Sequence, residues 1–194
     1  MKPIRVNLLA RMVLAFFIRL TFKPQTFSLG CQAEKSESVL ICMPTDVDRF
    51  AMARDLLLDF IDIFQPREIH VLLPFLGAGG YLSECPDYRV VGVQREDLNL
   101  FSLPRKGFIR KLTELEFGMS LDLDLEDGFF SRYLCLKCRI PLRIGPKRKG
   151  AFPLYNVQLA PARNQLGSRE AYEGMAQTMR WLFSTGNRAA PSVA

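Results

Sequence analysis

The sequence predicts a single α/β domain, a mostly parallel sheet flanked by helices, with an amphipathic helix ahead of it. Two strand–helix–strand units and the chain length predict it. The first unit is Gly118 to Gly145, GMSLDLDLEDGFFSRYLCLKCRIPLRIG. Leu121, Leu123 and Leu125 alternate with Asp122, Asp124 and Glu126, and the run ends at the turn pair Asp127-Gly128. Phe130, Tyr133 and Leu134 then mark a helix over Phe129 to Cys138; Pro141 stops it, and Leu142 to Gly145 restarts an extended run. The second unit is Val39 to Leu73. Parallel strands need a long, usually helical crossover, so this order implies layered α/β architecture. At 194 residues the chain has the length of one domain with a substantial core.

The chain opens on MKPIRVNLLARMVLAFFIRLTFK, residues 1–23, which is apolar nearly all round but carries Arg11 and Arg19. Its longest uncharged run, Met12 to Ile18, is far below the ~20 residues that span a bilayer. At ~100° per residue the two arginines lie about 80° apart on a helix. Both can face headgroups while Leu8, Leu9, Met12, Phe16 and Leu20 enter the acyl boundary, which makes Arg11, Phe16 and Arg19 the candidate membrane-interface residues. Packing on the domain's own core is the second reading. A cleaved signal is the third; the arginines break its apolar region, and Ser28-Leu29-Gly30-Cys31 only faintly resembles a lipoprotein site.

Residues 24–38 are polar with scattered Gly and Pro and read as a linker to a domain over residues 39–185. Val39 to Met43 is a short apolar run, typical of a strand buried on both faces. Pro44-Thr45-Asp46 breaks it, and Thr45 or Asp46 can cap the next helix. Phe50, Ala53, Leu57, Ile61 and Phe64 repeat at helical steps over Asp48 to Phe64, and Pro66 ends the helix. Ile69 to Leu73 is the second buried strand. Phe75 to Asp87 reads as loop, Arg89 to Gln94 as a third strand, and Lys106 to Phe117 as holding a short helix. Leu154 to Leu159 alternates and suits an edge strand. Ser168 caps a last helix to about Ser184 with Tyr172, Met175, Met179 and Leu182 on one stripe. Residues 186–194 read as a frayed, disordered tail.

Composition points to an anionic partner. Hydrophobic content of 48% and 24% charged residues are ordinary globular values, and the net charge is +6. Five cysteines without framework spacing suggest free thiols in a reducing compartment. Basic clusters at Arg105-Lys106, at Arg143 and at Lys147-Arg148-Lys149 follow predicted strands. In an open parallel sheet such loops share the ligand-binding edge. These six residues are the candidate acceptor- or anion-binding set, for a phosphorylated glycolipid or an anionic membrane surface. Nucleic acid is not the expected partner, because aromatics are not interleaved with the basic residues.

Two short motifs resemble a known family. Ser120-Leu121-Asp122-Leu123-Asp124-Leu125, then a helix, then Ile140-Pro141-Leu142-Arg143-Ile144-Gly145 is similar to the acceptor-side, N-terminal half of family 9 glycosyltransferases. These are the heptosyltransferase-like, GT-B-type enzymes of bacterial lipopolysaccharide assembly. Residues 39–150 can be laid over that half. The resemblance implies a Rossmann-like fold, a nucleotide-sugar donor held on a second half, and work at the cytoplasmic face of the inner membrane. It also implies an Asp after the first strand that takes the acceptor's proton. Asp46 or Asp48 falls near that place in Met43 to Arg49, although the family's preceding glycine is absent; Asp46 is the candidate catalytic base. Residues beyond Gly150 leave no room for a second domain of ~150 residues. Transfer is therefore expected only with a partner half, and the rival reading is a membrane-peripheral interaction module on a degenerate glycosyltransferase fold.

Other signals are weaker. Gly77-Ala78-Gly79-Gly80 follows the second strand and completes no dinucleotide fingerprint. Cys135-Leu136-Lys137-Cys138 sits near a helix C-terminus, where the dipole does not favour a thiolate, and no second pair offers a zinc site. His70, inside a strand, reads as packed. No cofactor or metal is expected.

Overall fold

The computed structural model describes residues 2–21, 36–76, 82, 85–126, 128–147, 154–160 and 169–185. The expected linker (apart from residues 36–38), the Gly77–Gly80 loop, Ser168 and the tail lie outside them.

Among the described residues, seven strands form one sheet. β1 (Lys2–Pro3) is short. The others are β2 (Ser38–Cys42), β3 (Glu68–Leu76), β4 (Arg89–Val93), β5 (Met119–Asp122), β6 (Leu142–Pro146) and β7 (Val157–Leu159). From β2 on, all pairings are parallel, in the order β4-β3-β2-β5-β6-β7, with β7 at the expected edge. Counted from β2, this is the doubly wound order 3-2-1-4-5-6, whose switch point lies between β2 and β5. β1 was not expected. It pairs antiparallel with Leu76 and Phe75 at the C-terminal end of β3, and Ile4 N–H donates to Pro74 O at 3.0 Å. The chain's start is thereby fixed to the sheet's C-terminal edge.

The strands bury both faces, as continuous apolar runs require. Val39, Ile41 and Met43 face one layer, with α2 (Val47–Asp55), α3 (Leu57–Phe64) and α6 (Arg169–Thr185). Leu40 and Cys42 face the other, with α4 (Lys106–Thr113) and α5 (Phe129–Lys137). The single helix expected over Asp48 to Phe64 is two, broken at Leu56, whose ψ of 4° leaves the helical range. Leu56 lies off the apolar stripe of an unbroken helix, and the break turns it into the core.

α1 (Leu8–Thr21) starts at Asn7, whose side chain accepts Leu9 N–H at 3.0 Å. Packing on the domain's own core, the second reading of residues 1–23, describes one side of it. Ala10, Leu14, Ala15 and Ile18 pack on Phe129, Tyr133 and Leu136 of α5 and on Leu103 and Leu154. Leu8, Leu9, Met12, Val13, Phe16 and Phe17 are exposed. α5 is consequently covered on two sides, by the sheet and by α1, and every residue from Phe129 to Cys135 is buried.

One alternation misled. Asp122 and Asp124 are as buried as the leucines between them, because α5 and its turn cover that end of β5. The glycine of the Arg-Ile-Gly motif has a plain role: a Cβ on Gly145 would fall within the van der Waals envelope of the Tyr155 ring. Gly145→Ala is expected to destabilise by about 1–3 kcal/mol in urea unfolding. Combined with Tyr155→Leu it should cost less than the two separate losses together; strict additivity would show that the ring does not set the limit.

Candidate functional site

A pocket of about 360 Å³ opens at the C-terminal ends of β2 and β5, at the switch point. Pro3 to Val6 and Arg11 form one wall, Thr45 to Val47 a second, and Glu126, Phe129 and Phe130 the third. Each wall follows from local sequence. β1 pins the first. The second is the β2–α2 loop, where Asp46 caps α2 by accepting Arg49 N–H at 3.1 Å. The third is the turn into α5, where Gly128 is required because a Cβ there would meet Asp122 Oδ2.

A buried acidic network holds the second and third walls together. Asp124 Oδ2 accepts Thr45 N–H at 3.0 Å and the Thr45 hydroxyl at 2.7 Å. Asp124 Oδ1 accepts Glu126 N–H at 2.9 Å, and Asp122 Oδ1 accepts Asp124 N–H at 2.9 Å. The Tyr155 hydroxyl donates to Asp122. Arg49 pairs with Glu126, and that carboxylate raises the guanidinium pKa. Burial, and next the charge of Asp124, push the Asp122 carboxyl up to about 7 against the hydrogen bond from Tyr155. Arg132, buried on α5, lies over the Phe129 and Tyr155 rings at 5.9 and 5.7 Å.

The sequence-predicted residues scatter. Asp46 lies in the pocket, exposed, with one oxygen committed to its cap. Arg11, expected to face headgroups, turns inward instead, its guanidinium 5.5 Å over the Phe129 ring and in the pocket wall. Phe16 is on the exposed side of α1; the Arg19 side chain, Arg148 and Lys149 lie outside the described residues. Arg143 does not face the edge. It is the second residue of β6, buried, and its guanidinium donates to Leu154 O at 2.9 Å and Ile140 O at 2.5 Å, so it serves the fold. Burial lowers its pKa. Lys147, past the end of β6, and Arg105 and Lys106, at the start of α4, are exposed on the pocket's edge of the sheet but do not line it.

Arg5, Thr45, Glu126 and Phe129 are the site residues that sequence reasoning missed. Their one signal is Ile4-Arg5-Val6, a three-residue alternation too short to read as an extended segment. His70 is buried in β3, edge-on to Phe117 at 5.1 Å, and burial lowers its pKa. Cys42 and Cys135 lie 3.8 Å apart in the core; their mutual hydrogen bond and burial hold the Cys42 thiol well above its ordinary pKa. Burial pushes Cys138 up to about 12. The Cys-x-x-Cys pair is thus core packing, and no metal-type cluster occurs among the described residues.

Comparison with solved structures finds heptosyltransferases. The Escherichia coli heptosyltransferase WaaC with ADP matches at TM-score 0.51 and 17% identity, over 81% of this chain and 49% of that one. The fold is heptosyltransferase-like. WaaC with ADP-2-deoxy-2-fluoro heptose matches at TM-score 0.50 and 17% identity, over 81% of this chain and 50% of that one. E. coli ADP-heptose lipopolysaccharide heptosyltransferase II gives TM-score 0.49 at 16% identity, over 69% and 43%. The chain therefore spans half or less of the length of the heptosyltransferases it resembles. No family model and no curated protein matches the sequence.

Asp122 makes the domain pH-sensitive. In the folded chain it ionises near pH 7; unfolded, near its ordinary 3.8. Folding takes up a proton between those values, so stability is full below about pH 4, falls as pH rises toward 7, and then levels. The slope is on the order of 1.4 kcal/mol per unit. Asp122→Asn mimics the neutral carboxyl. Urea titrations from pH 4 to 8 should show that fall in the wild type and lose it in the variant; an unchanged slope would place the proton elsewhere.

Proposed function

We propose that this chain is the acceptor side of a glycosyltransferase of the heptosyltransferase type, and that its pocket binds an anionic, phosphorylated, lipid-linked glycan. The pocket's chemistry is the observation that supports this most: Arg5 and Arg11 on one wall, Asp46 and Glu126 on the others, and the Phe129 ring between. Guanidinium groups pair with phosphate in a two-pronged geometry. Carboxylates accept from sugar hydroxyls, and an aromatic ring packs on the apolar face of a pyranose. In this reading an acceptor hydroxyl gives its proton to Asp46 as its oxygen attacks the anomeric carbon of a nucleotide-linked sugar. The bond from that carbon to the nucleotide's phosphate oxygen breaks, and the nucleotide leaves with the bonding pair.

The nucleotide-linked sugar belongs to a second half, in this polypeptide or a partner transferase, and the acceptor side alone performs no transfer. A lipid-linked acceptor places the work at the cytoplasmic face of the inner membrane. The free, buried state of Cys42, Cys135 and Cys138 accords with a reducing compartment. A protein-interaction module is the second reading, favoured by the exposed apolar side of α1.

Calorimetry with a phosphorylated disaccharide and its dephosphorylated form tests the proposal. The phosphorylated form should bind at least about tenfold more tightly, or ~1.4 kcal/mol. Arg5→Gln or Arg11→Gln should erase most of that preference, and Lys147→Gln should leave it. Equal binding of the two sugars, or binding to neither, sinks the acceptor reading and leaves the interaction module.

A further inference from the structure

We propose that the outer side of α1 and the turn at Leu100-Phe101 form one surface that docks on a bilayer with anionic headgroups. The two elements adjoin: Asn7 N–H, at the start of α1, donates to Phe101 O at 3.3 Å, and Leu103 packs among the inward residues of α1. Both thrust apolar side chains into solvent. On α1, Leu9 is 73% exposed and Phe16 62%, with Leu8, Met12, Val13 and Phe17 beside them; in the turn Leu100 is 99% exposed and Phe101 54%.

The turn is held in this pose. Asn99 Oδ1 accepts Phe101 N–H at 2.9 Å and Leu103 N–H at 3.1 Å, and Ser102 takes a left-handed φ of 59°. A loop so braced presents Leu100 by construction, not by chance of a flexible chain. Apolar patches of this kind mark interaction surfaces.

Charge selects the bilayer as occupant. Residues 1–23 contain Lys2, Arg5, Arg11, Arg19 and Lys23 and no acid. Arg105 and Lys106, both exposed, flank the turn on its other side. The acids of the preceding turn are Glu96 and Asp97, and Asp97 is engaged with Gln94 N–H at 2.9 Å. An apolar strip bordered by the exposed Arg5, Arg105 and Lys106, in a segment without acids, suits an anionic headgroup layer. α1 is suited to lying flat: its 14 residues make a helix of about 21 Å, and no described helix is long and apolar enough to cross a membrane. The inward side of α1 is already seated on α5, so the helix docks as part of the domain. Arg5 and Arg11 put the pocket beside the docked surface. The proposal stands whether or not that pocket takes a glycan.

Co-sedimentation of the full chain with glycan-free vesicles tests it, comparing phosphatidylcholine alone with phosphatidylcholine containing phosphatidylglycerol. The partition should rise about tenfold or more with the anionic lipid and fall with salt. Leu100→Ser with Phe101→Ser, and separately Met12→Ser with Phe16→Ser, should each reduce it about tenfold or more, with circular dichroism unchanged. Leu58→Ser, an exposed apolar residue on the sheet's other side, should leave it unchanged. Three results overturn the proposal: no anionic-lipid preference, retention by both double variants, or a dimer in solution that those variants dissociate. Calorimetry with free sugars reads the pocket alone, so failure there and failure here are separate outcomes.

Discussion

Asp124 is the side chain on which the switch point depends. Its carboxylate accepts two donors from Thr45, after β2, and one from Glu126, after β5. The two crossovers diverge to opposite faces of the sheet here, just past the last ladder bond between the strands, Leu123 N–H to Cys42 O at 2.9 Å. A buried carboxylate is costly unless its lone pairs are filled, and these donors fill them. Asp122 stands behind it, its carboxyl pushed up by burial and by the charge of Asp124. The Arg49–Glu126 pair closes the network on the outside, where Glu126 is well exposed and screening keeps the contribution small. The pocket's second and third walls are therefore set by buried hydrogen bonds, and its first wall by the ladder of β1.

The layered, mostly parallel α/β class was legible because its evidence is repetitive. Continuous apolar runs, breakers and helical stripes recur often enough that single errors do not matter. The break at Leu56 changed nothing in the topology. The Gly of the Arg-Ile-Gly motif and the Gly after Asp127 were legible as turn or motif residues, but their reason was not. Each makes room for a partner, Tyr155 or Asp122, that lies outside the glycine's own turn or motif.

The site was far less legible, for a physical reason. A charged residue reads as solvent-facing, and that prior failed where the fold supplies partners. Arg143 spends its donors on two carbonyls, and Asp122 and Asp124 spend their acceptors on backbone and hydroxyl groups. Arg5 and Arg11 went the other way. They belong to a segment whose amphipathic pattern dominated its reading, and only the two-residue β1 shows that this segment returns to the sheet. A two-residue strand leaves no periodicity to detect.

α1 shows why one apolar helix can be read in two ways. An amphipathic stripe is meant to seat one side on a core, and α1 does that with small and aliphatic residues: Ala10, Leu14, Ala15 and Ile18. Removing it would uncover Phe129 and Tyr133, so α5 needs α1 as much as it needs the sheet. Phe16, Phe17, Met12, Leu8 and Leu9 are kept for the outside. A helix that only completed the core would carry polar residues there. This distribution makes α1 a layer over α5 that is apolar on both sides. Because Arg11 reaches back from the same helix over Phe129, the position of that layer and the shape of the pocket are mechanically one.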